Sequence, residues 1–186
     1  MSRSHVDANY RFIAASQEVN ARIMQRQQAL ALYGTLVVSL LAAVVALKPG
    51  SSGNLPAEWL LLGFPGASTC LAFLNHKAER TITNLRSFLS TLERLDDAHS
   101  TLPSYNTDPR WAAGANRARR FHDFAAAVLV AGGNGIGIGA VMRIYPERMA
   151  DHPVILGIAI VAALASLAAL LLGPRWSYRP RDAAPA

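Results

Sequence analysis

Glycine, asparagine and arginine are the residues of this chain whose spacing could do chemistry, and they gather in two places. The first is the run Gly132-Gly133-Asn134-Gly135-Ile136-Gly137-Ile138-Gly139. Glycine at every second position also falls at four-residue spacing, Gly133 with Gly137 and Gly135 with Gly139, which on a helix lets a neighbouring backbone approach closely. Phosphate-binding loops are glycine-rich too, but they follow a strand, and here apolar sequence continues on both sides. Asn134 stands in the middle of that apolar sequence, where an amide must find a hydrogen-bond partner or water. Two readings stay open for it: glue between helices, or one member of a polar ring lining a pore. The second place is Arg117, Arg119, Arg120, His122 and Asp123, just ahead of the same apolar stretch. Arginine forks there could hold a phosphate at a membrane surface, or serve only to anchor the helix on its cytoplasmic side.

Elsewhere the residue types exclude chemistry. Cys70 is the only cysteine, so intrachain disulfides and cysteine-based metal sites are ruled out, and inside an apolar run it reads as a small buried hydrophobe. His5, His76, His99, His122 and His152 fit no metal-ligand spacing. No paired carboxylates lie in or beside an apolar run and no Ser-His-Asp arrangement can be drawn. The expectation is therefore a protein that is not an enzyme, with no cofactor and no metal.

The elements that position these residues are set by four apolar stretches, 29–47, 59–75, 124–142 and 153–173, without Lys, Arg, Asp or Glu in their interiors. At about 1.5 Å of rise per residue, roughly 19 residues reach about 28 Å, close to the hydrocarbon thickness of a bilayer. The second stretch is the shortest and contains Gly63, Pro65 and Gly66, which predicts a kinked helix leaning on a neighbour. Of the 18 Lys and Arg residues, 15 fall before the first stretch, between the second and third, or after the fourth; Lys48, Arg143 and Arg148 are the exceptions. That bias predicts a multi-pass protein of the bacterial inner membrane with both termini in the cytoplasm. Interfacial aromatics fit the same frame: Trp59 and Tyr145 at the outer surface, Tyr33, Trp111, Trp176 and Tyr178 at the inner one. A net charge of +6 then reads as attraction to anionic lipids of the bilayer, and no nucleic acid is expected as a partner. A first stretch that starts only at Ala29 and ends in Leu-Lys-Pro-Gly is not expected to be a cleaved signal peptide.

Outside the membrane, 1–33 and 67–102 are free of Gly and Pro, so the first two spans should each continue as one helix into the cytoplasm. These rods would project about 30 Å and about 35 Å. The second carries a broad stripe of Ile82, Leu85, Phe88, Leu89, Leu92 and Leu95, with Glu79, Arg80, Arg86, Glu93 and Arg94 on its remaining surface. The first has a thinner stripe of Phe12, Ala15, Val19, Ile23 and Leu30. That mismatch leaves apolar surface that a second copy would bury, so a homo-oligomer is expected. The whole is predicted to be an all-α membrane protein: a cytoplasmic N-terminal helix over 1–28, spans at 29–47 and 59–75, an amphipathic helix at 76–100 forming a hairpin with the first, a linker at 101–120, spans at 121–143 and 153–173, and a tail at 174–186.

This layout, carried by 9–47, 59–98 and 117–133, resembles the small membrane effectors of bacterial nucleotide-signalled antiphage systems, the Pycsar transmembrane effectors and SLATT-type domains, although Arg26-Gln27-Gln28-Ala29 stands where the Pycsar group has Asp-x-Lys-Ala. The resemblance implies a protein kept quiet until a cyclic nucleotide, made by a partner cyclase during phage infection, switches it to impair the inner membrane and bring about abortive infection. It further implies a nucleotide-binding place near the membrane end of the hairpin, where Arg22, Arg26, Lys77 and Arg80 gather. The alternatives are a constitutive oligomeric channel or holin-like protein, and an immunity or accessory membrane subunit.

Overall fold

A computed structural model describes residues 7–47 and 57–180. Arg3, His5, Lys48 and Arg181, with most of the loop between the first two helices, lie outside the described residues. Among the described residues about 90% are helical and none is in a strand.

Helix α1 runs from Ala8 to Ala46, with the Asp7 side chain accepting from the Asn9 amide at 3.1 Å to cap its start. Helix α2, Ala57–Glu93, contains Pro65 in its interior. It stops where Asp96 and Asp97 take positive φ values of 53° and 59°, a left-handed pair that no helix continues through. A 3₁₀ turn at Leu95–Asp97 and the short α3 at Ala98–Thr101 follow. Helix α4 spans Pro109–Ile144, α5 Pro146–Asp151 and α6 Pro153–Leu172, and a 3₁₀ turn at Gly173–Trp176 leads into the tail. At the standard rise the 39, 37 and 36 residues of α1, α2 and α4 make helices of about 55 Å, nearly twice a bilayer core, whereas the 20 residues of α6 make about 30 Å.

Three helices, α1, α4 and α6, are long and apolar enough to cross a membrane. Helix α2 is less apolar because it carries Gly63, Pro65, Gly66, Ser68 and Thr69, and its position accounts for that composition: Leu61, Phe64, Ser68 and Leu71 are buried among the other helices. Contacts between α1 and α2 run in opposite senses. Leu40 lies against Gly63, Tyr33 bonds Ser68, and Arg26 pairs with Glu79, so the two helices are antiparallel over most of their length. One continuous core joins Val37, Val44, Phe64, Leu71, Val130 and Ala159. Leu32, Leu36, Phe73, Phe124, Val128, Val161 and Leu164 point outward, the inverse of a water-soluble surface.

Several expectations need correction. The linker read over 101–120 is irregular only to Asp108: Pro109 occupies the first turn of α4, where its missing N–H costs nothing, and the Asp108 carboxylate accepts from the Arg110 amide at 2.8 Å. The amphipathic helix of 76–100 ends at Glu93. Helix α4 thus adds a third polar rod beside the two foreseen, and it takes up part of the α2 face for which a second copy was invoked: Ile82 and Leu89 are buried within one chain, while Phe88 stays exposed. Glu79 and Arg86, placed on the remaining surface of that rod, are buried. Cys70 is exposed, not a buried filler. Of the aromatics assigned to the membrane surfaces, Trp59 and Trp111 are exposed, but Tyr33, Tyr145 and Tyr178 turn inward. Tyr145 donates to the carbonyls of Val44 and Leu47 at 3.0 and 2.5 Å, closing the C-terminal end of α1.

Candidate functional site

The first candidate, the glycine run, lies on α4 and divides by face. A Cβ at Gly133 would sit 2.7 Å from the Tyr33 hydroxyl oxygen, and one at Gly137 would overlap the Phe64 ring, so these two glycines are where α1 and α2 press closest on α4. Gly135 and Gly139 face open space. Asn134 is buried and donates to Ser68 Oγ at 2.7 Å and to the Val130 carbonyl at 2.8 Å. Ser68 in turn shares a 3.2 Å bond with the Tyr33 hydroxyl. In a single copy, then, Asn134 is turned into the bundle, where it links α4 to α2 and through Ser68 to α1. A parallel bond of 2.9 Å between Thr69 and Ser166 ties α2 to α6.

The second candidate is at the polar end of the bundle, where α1, α2 and α4 run beyond their apolar parts. Arg26, only 5% exposed, lies between two carboxylates: it donates to Glu79 at 3.1 Å and to Asp123. Arg119 approaches the other Glu79 oxygen at 3.4 Å. Each member comes from a different helix, or from a different turn of α4, so the cluster exists only when the three rods are assembled. Spacing explains why it closes: Glu79, Ile82, Arg86 and Leu89 follow one another at three and four residues on one face of α2, and Arg119 and Asp123 are one turn apart on α4.

About two turns further along α2, Arg86 is 4% exposed and has no carboxylate bonded to it among the described residues. Its Nε and Nη1 donate to the side-chain oxygens of Asn106 and Asn116 at 3.0 and 3.1 Å, and its guanidinium lies 5.8 and 5.0 Å from the ring centres of Tyr105 and Tyr178. Loop and tail are pinned to the same place. Glu93 accepts from the Asn106 and Thr107 amides at 2.9 and 3.0 Å, the Tyr178 hydroxyl donates to the Asn106 carbonyl at 2.9 Å, and Asn116 donates to the Tyr178 carbonyl at 2.7 Å.

A cavity of about 520 Å³ opens against this cluster, walled by Asn20, Arg26 and Gln27 of α1, Arg86 of α2, Tyr105 of the loop, and Arg119 and His122 of α4. Its walls carry three guanidiniums, two of which, Arg26 and Arg119, are met from behind the lining by Glu79 and Asp123. Burial pulls the Arg86 guanidinium below its ordinary pKa, and repulsion from Arg119 adds to the effect. Arg119 is lowered by burial too, with Glu79 opposing the shift and Arg26 reinforcing it. Arg86 Nη2 finds no hydrogen-bond partner among the described residues. A buried cation is costly unless hydrogen-bond acceptors, aromatic faces or an anion meet it, and Arg86 is met here by amides and rings.

Of the four residues read as a nucleotide site, the structure brings three together. Arg22, Arg26 and Lys77 line a smaller hollow of about 250 Å³, where Arg22 is occupied by Glu18 and by Gln25 at 2.9 Å, and Arg26 is turned inward to its carboxylates. Arg80 is exposed outside that lining. Glu79, Arg86, Asn106 and Asn116 were not among the sequence candidates. The available signal was Glu79 and Arg86 sharing a helical face with Ile82 and Leu89, charge inside an apolar stripe.

No known protein family, curated protein or solved structure matches the chain. Functional inference therefore rests on the residues themselves.

Proposed function

We propose that this protein is a membrane effector switched by an anionic cytoplasmic messenger that binds in the chamber at Arg86. The observation that carries the reading is a buried guanidinium, with one nitrogen left without a partner among the described residues, on a side chain that helps to wall a cavity of about 520 Å³, a volume within the ordinary range of small-ligand sites. Anionic character follows from the arginines. The narrower identity, a cyclic nucleotide produced by a partner cyclase during phage infection, follows from the family resemblance.

In this reading α2 is a fourth span. Its antiparallel contacts with α1 from Leu40 to Arg26 support that, since they keep it beside α1 over about 21 Å, most of the apolar thickness. An even number of crossings puts both termini on one side, and the basic bias makes that side the cytoplasm of a bacterial inner membrane. The polar parts of α1 and α2 then form the cytoplasmic hairpin, with α4 as its third member, and exposed Phe88 and Leu95 supply the surface for self-association. Because each rod continues into a span without a break, a ligand that draws Arg86 and Arg119 toward itself weakens the Arg119 to Glu79 contact and loosens the junction on which the spans converge. The activated state impairs the membrane.

Controlled expression with a membrane-impermeant dye tests this. The protein alone should leave cells intact, co-expression with an active nucleotide cyclase should admit dye, and Arg86→Gln should remove that response. Dye uptake without the cyclase would make the protein a constitutive, holin-like pore. No uptake in either condition would make it an accessory subunit.

A further inference from the structure

A second site lies on the opposite side of α2. A groove of about 780 Å³ runs between α2 and α6, floored by Thr69 and Ser166, whose hydroxyls meet at 2.9 Å and also bond the Pro65 and Ala162 carbonyls of their own helices, and walled by Ala72, Phe73, Ala165 and Ala169. The alanines of α6 make it deep, because no side chain fills the space between the helices. At its polar end stand His76 and Arg175. Arg175 also lines the adjoining hollow of about 370 Å³ between α4 and the tail, together with Arg120 and Arg179. All three arginines are exposed, and the one carboxylate there, Asp123, is already bonded to Arg26. Exposed Phe73, Phe124 and Leu171 flank the two openings.

We infer that this groove holds one anionic phospholipid, with an acyl chain between α2 and α6 and the headgroup phosphate between Arg175, Arg179 and Arg120. An apolar trough ending in a cationic cluster at the level where apolar helix gives way to polar helix matches the amphiphile in both shape and charge. A free phosphate satisfies only the cluster and leaves the trough empty. The inference rests on α2 and α6 lying together in the bilayer, and it does not depend on what the Arg86 chamber binds.

The test uses the full chain purified in mild detergent, native mass spectrometry, and palmitoyl-oleoyl phosphatidylglycerol against the phosphatidylcholine of the same chains. Phosphatidylglycerol should be retained with a preference of tenfold or more, and Arg175→Gln and Arg179→Gln should each reduce the preference about fivefold, the scale of one cation at a membrane surface. Ala169→Phe fills the exposed trough while leaving every arginine in place, so it should release the lipid with the helical circular dichroism unchanged. Inorganic phosphate at millimolar concentration should not compete. A preference that survives both arginine changes, lipid retained in the Ala169→Phe protein, or displacement by inorganic phosphate would each overturn the assignment. Because none of these measurements uses a nucleotide, their failure is separable from failure of the effector reading.

Discussion

Arg26→Met is the substitution that most directly probes the charge cluster. Methionine keeps most of the volume and the apolar stem of arginine but removes the guanidinium that lies between Glu79 and Asp123. Glu79 retains Arg119 at 3.4 Å, whereas Asp123 loses the ion-pair partner it has among the described residues. The side chains of Arg26, Glu79 and Asp123 are 5%, 6% and 10% exposed, so little solvent is at hand to screen the orphaned carboxylate. Two charge-assisted hydrogen bonds at about 1.5–3 kcal/mol each set an upper range of about 3–6 kcal/mol. Breaking a buried pair by removing one partner costs about 3–5 kcal/mol, and we expect the loss to fall there. Adding Asp123→Asn to Arg26→Met removes the stranded charge and should recover all but about 1–2 kcal/mol. Unfolding in mixed micelles followed by tryptophan fluorescence gives both numbers. A loss below about 1 kcal/mol, or no recovery in the double variant, would show that the cluster is solvated, and the cooperative joint between the three rods would fall with it.

The glycine run gives a contrast within one helix: Gly137→Ala should cost at least about 1–3 kcal/mol by driving a methyl group into the Phe64 ring, while Gly135→Ala should be neutral or slightly stabilising in the same unfolding assay. Asn134→Leu removes the 2.7 Å bond to Ser68 and should weaken the bundle by about 1 kcal/mol, with single-channel recordings of any conductance unchanged; loss of conductance with stability intact would favour the polar-ring reading. Asp108→Ala deprives α4 of its cap, so amide exchange at Trp111 to Ala113 should quicken. Hydrogen bonding from Arg110 holds the Asp108 carboxyl below the usual range, so the cap is present at neutral pH and is lost only as pH falls through that lowered value. Exchange in the wild type should therefore approach that of the variant only in acid.

What the sequence discloses of this fold is what depends on one helix at a time. Apolar length and the absence of charge locate the interiors of α1, α4 and α6, and the stretches free of Gly and Pro announce the polar extensions of α1 and α2. The start of α4 is harder to read, because Pro109 and Gly114 look like loop residues until Pro109 is placed in the first turn and Gly114 on a face with nothing beside it. The second apolar stretch is ambiguous for a related reason. Hydropathy reads a stretch by its average, and α2 turns one face, with Ser68 and Pro65, into neighbours that satisfy its polar groups while Phe73 and Leu74 stay exposed.

Charges between helices are illegible for a different reason. On α2 the residues Glu79, Arg80, Arg86 and Glu93 look alike, and the rule that charge faces water puts all of them on the surface. Structure separates them by partner: Glu79 meets Arg26 across a separation of 53 residues, Arg86 meets Asn116 across 30, and Arg80 stays exposed. A buried ion pair repays its desolvation only when its geometry is complete, so all three rods must be in register before the cluster stabilises any of them. The same dependence is what the proposed switch would exploit. A junction that is stable only when every charge is met would be undone by one competing anion, and under that proposal Arg86, held among the described residues by neutral amides and aromatic rings instead of by a carboxylate, is where such an anion would bind.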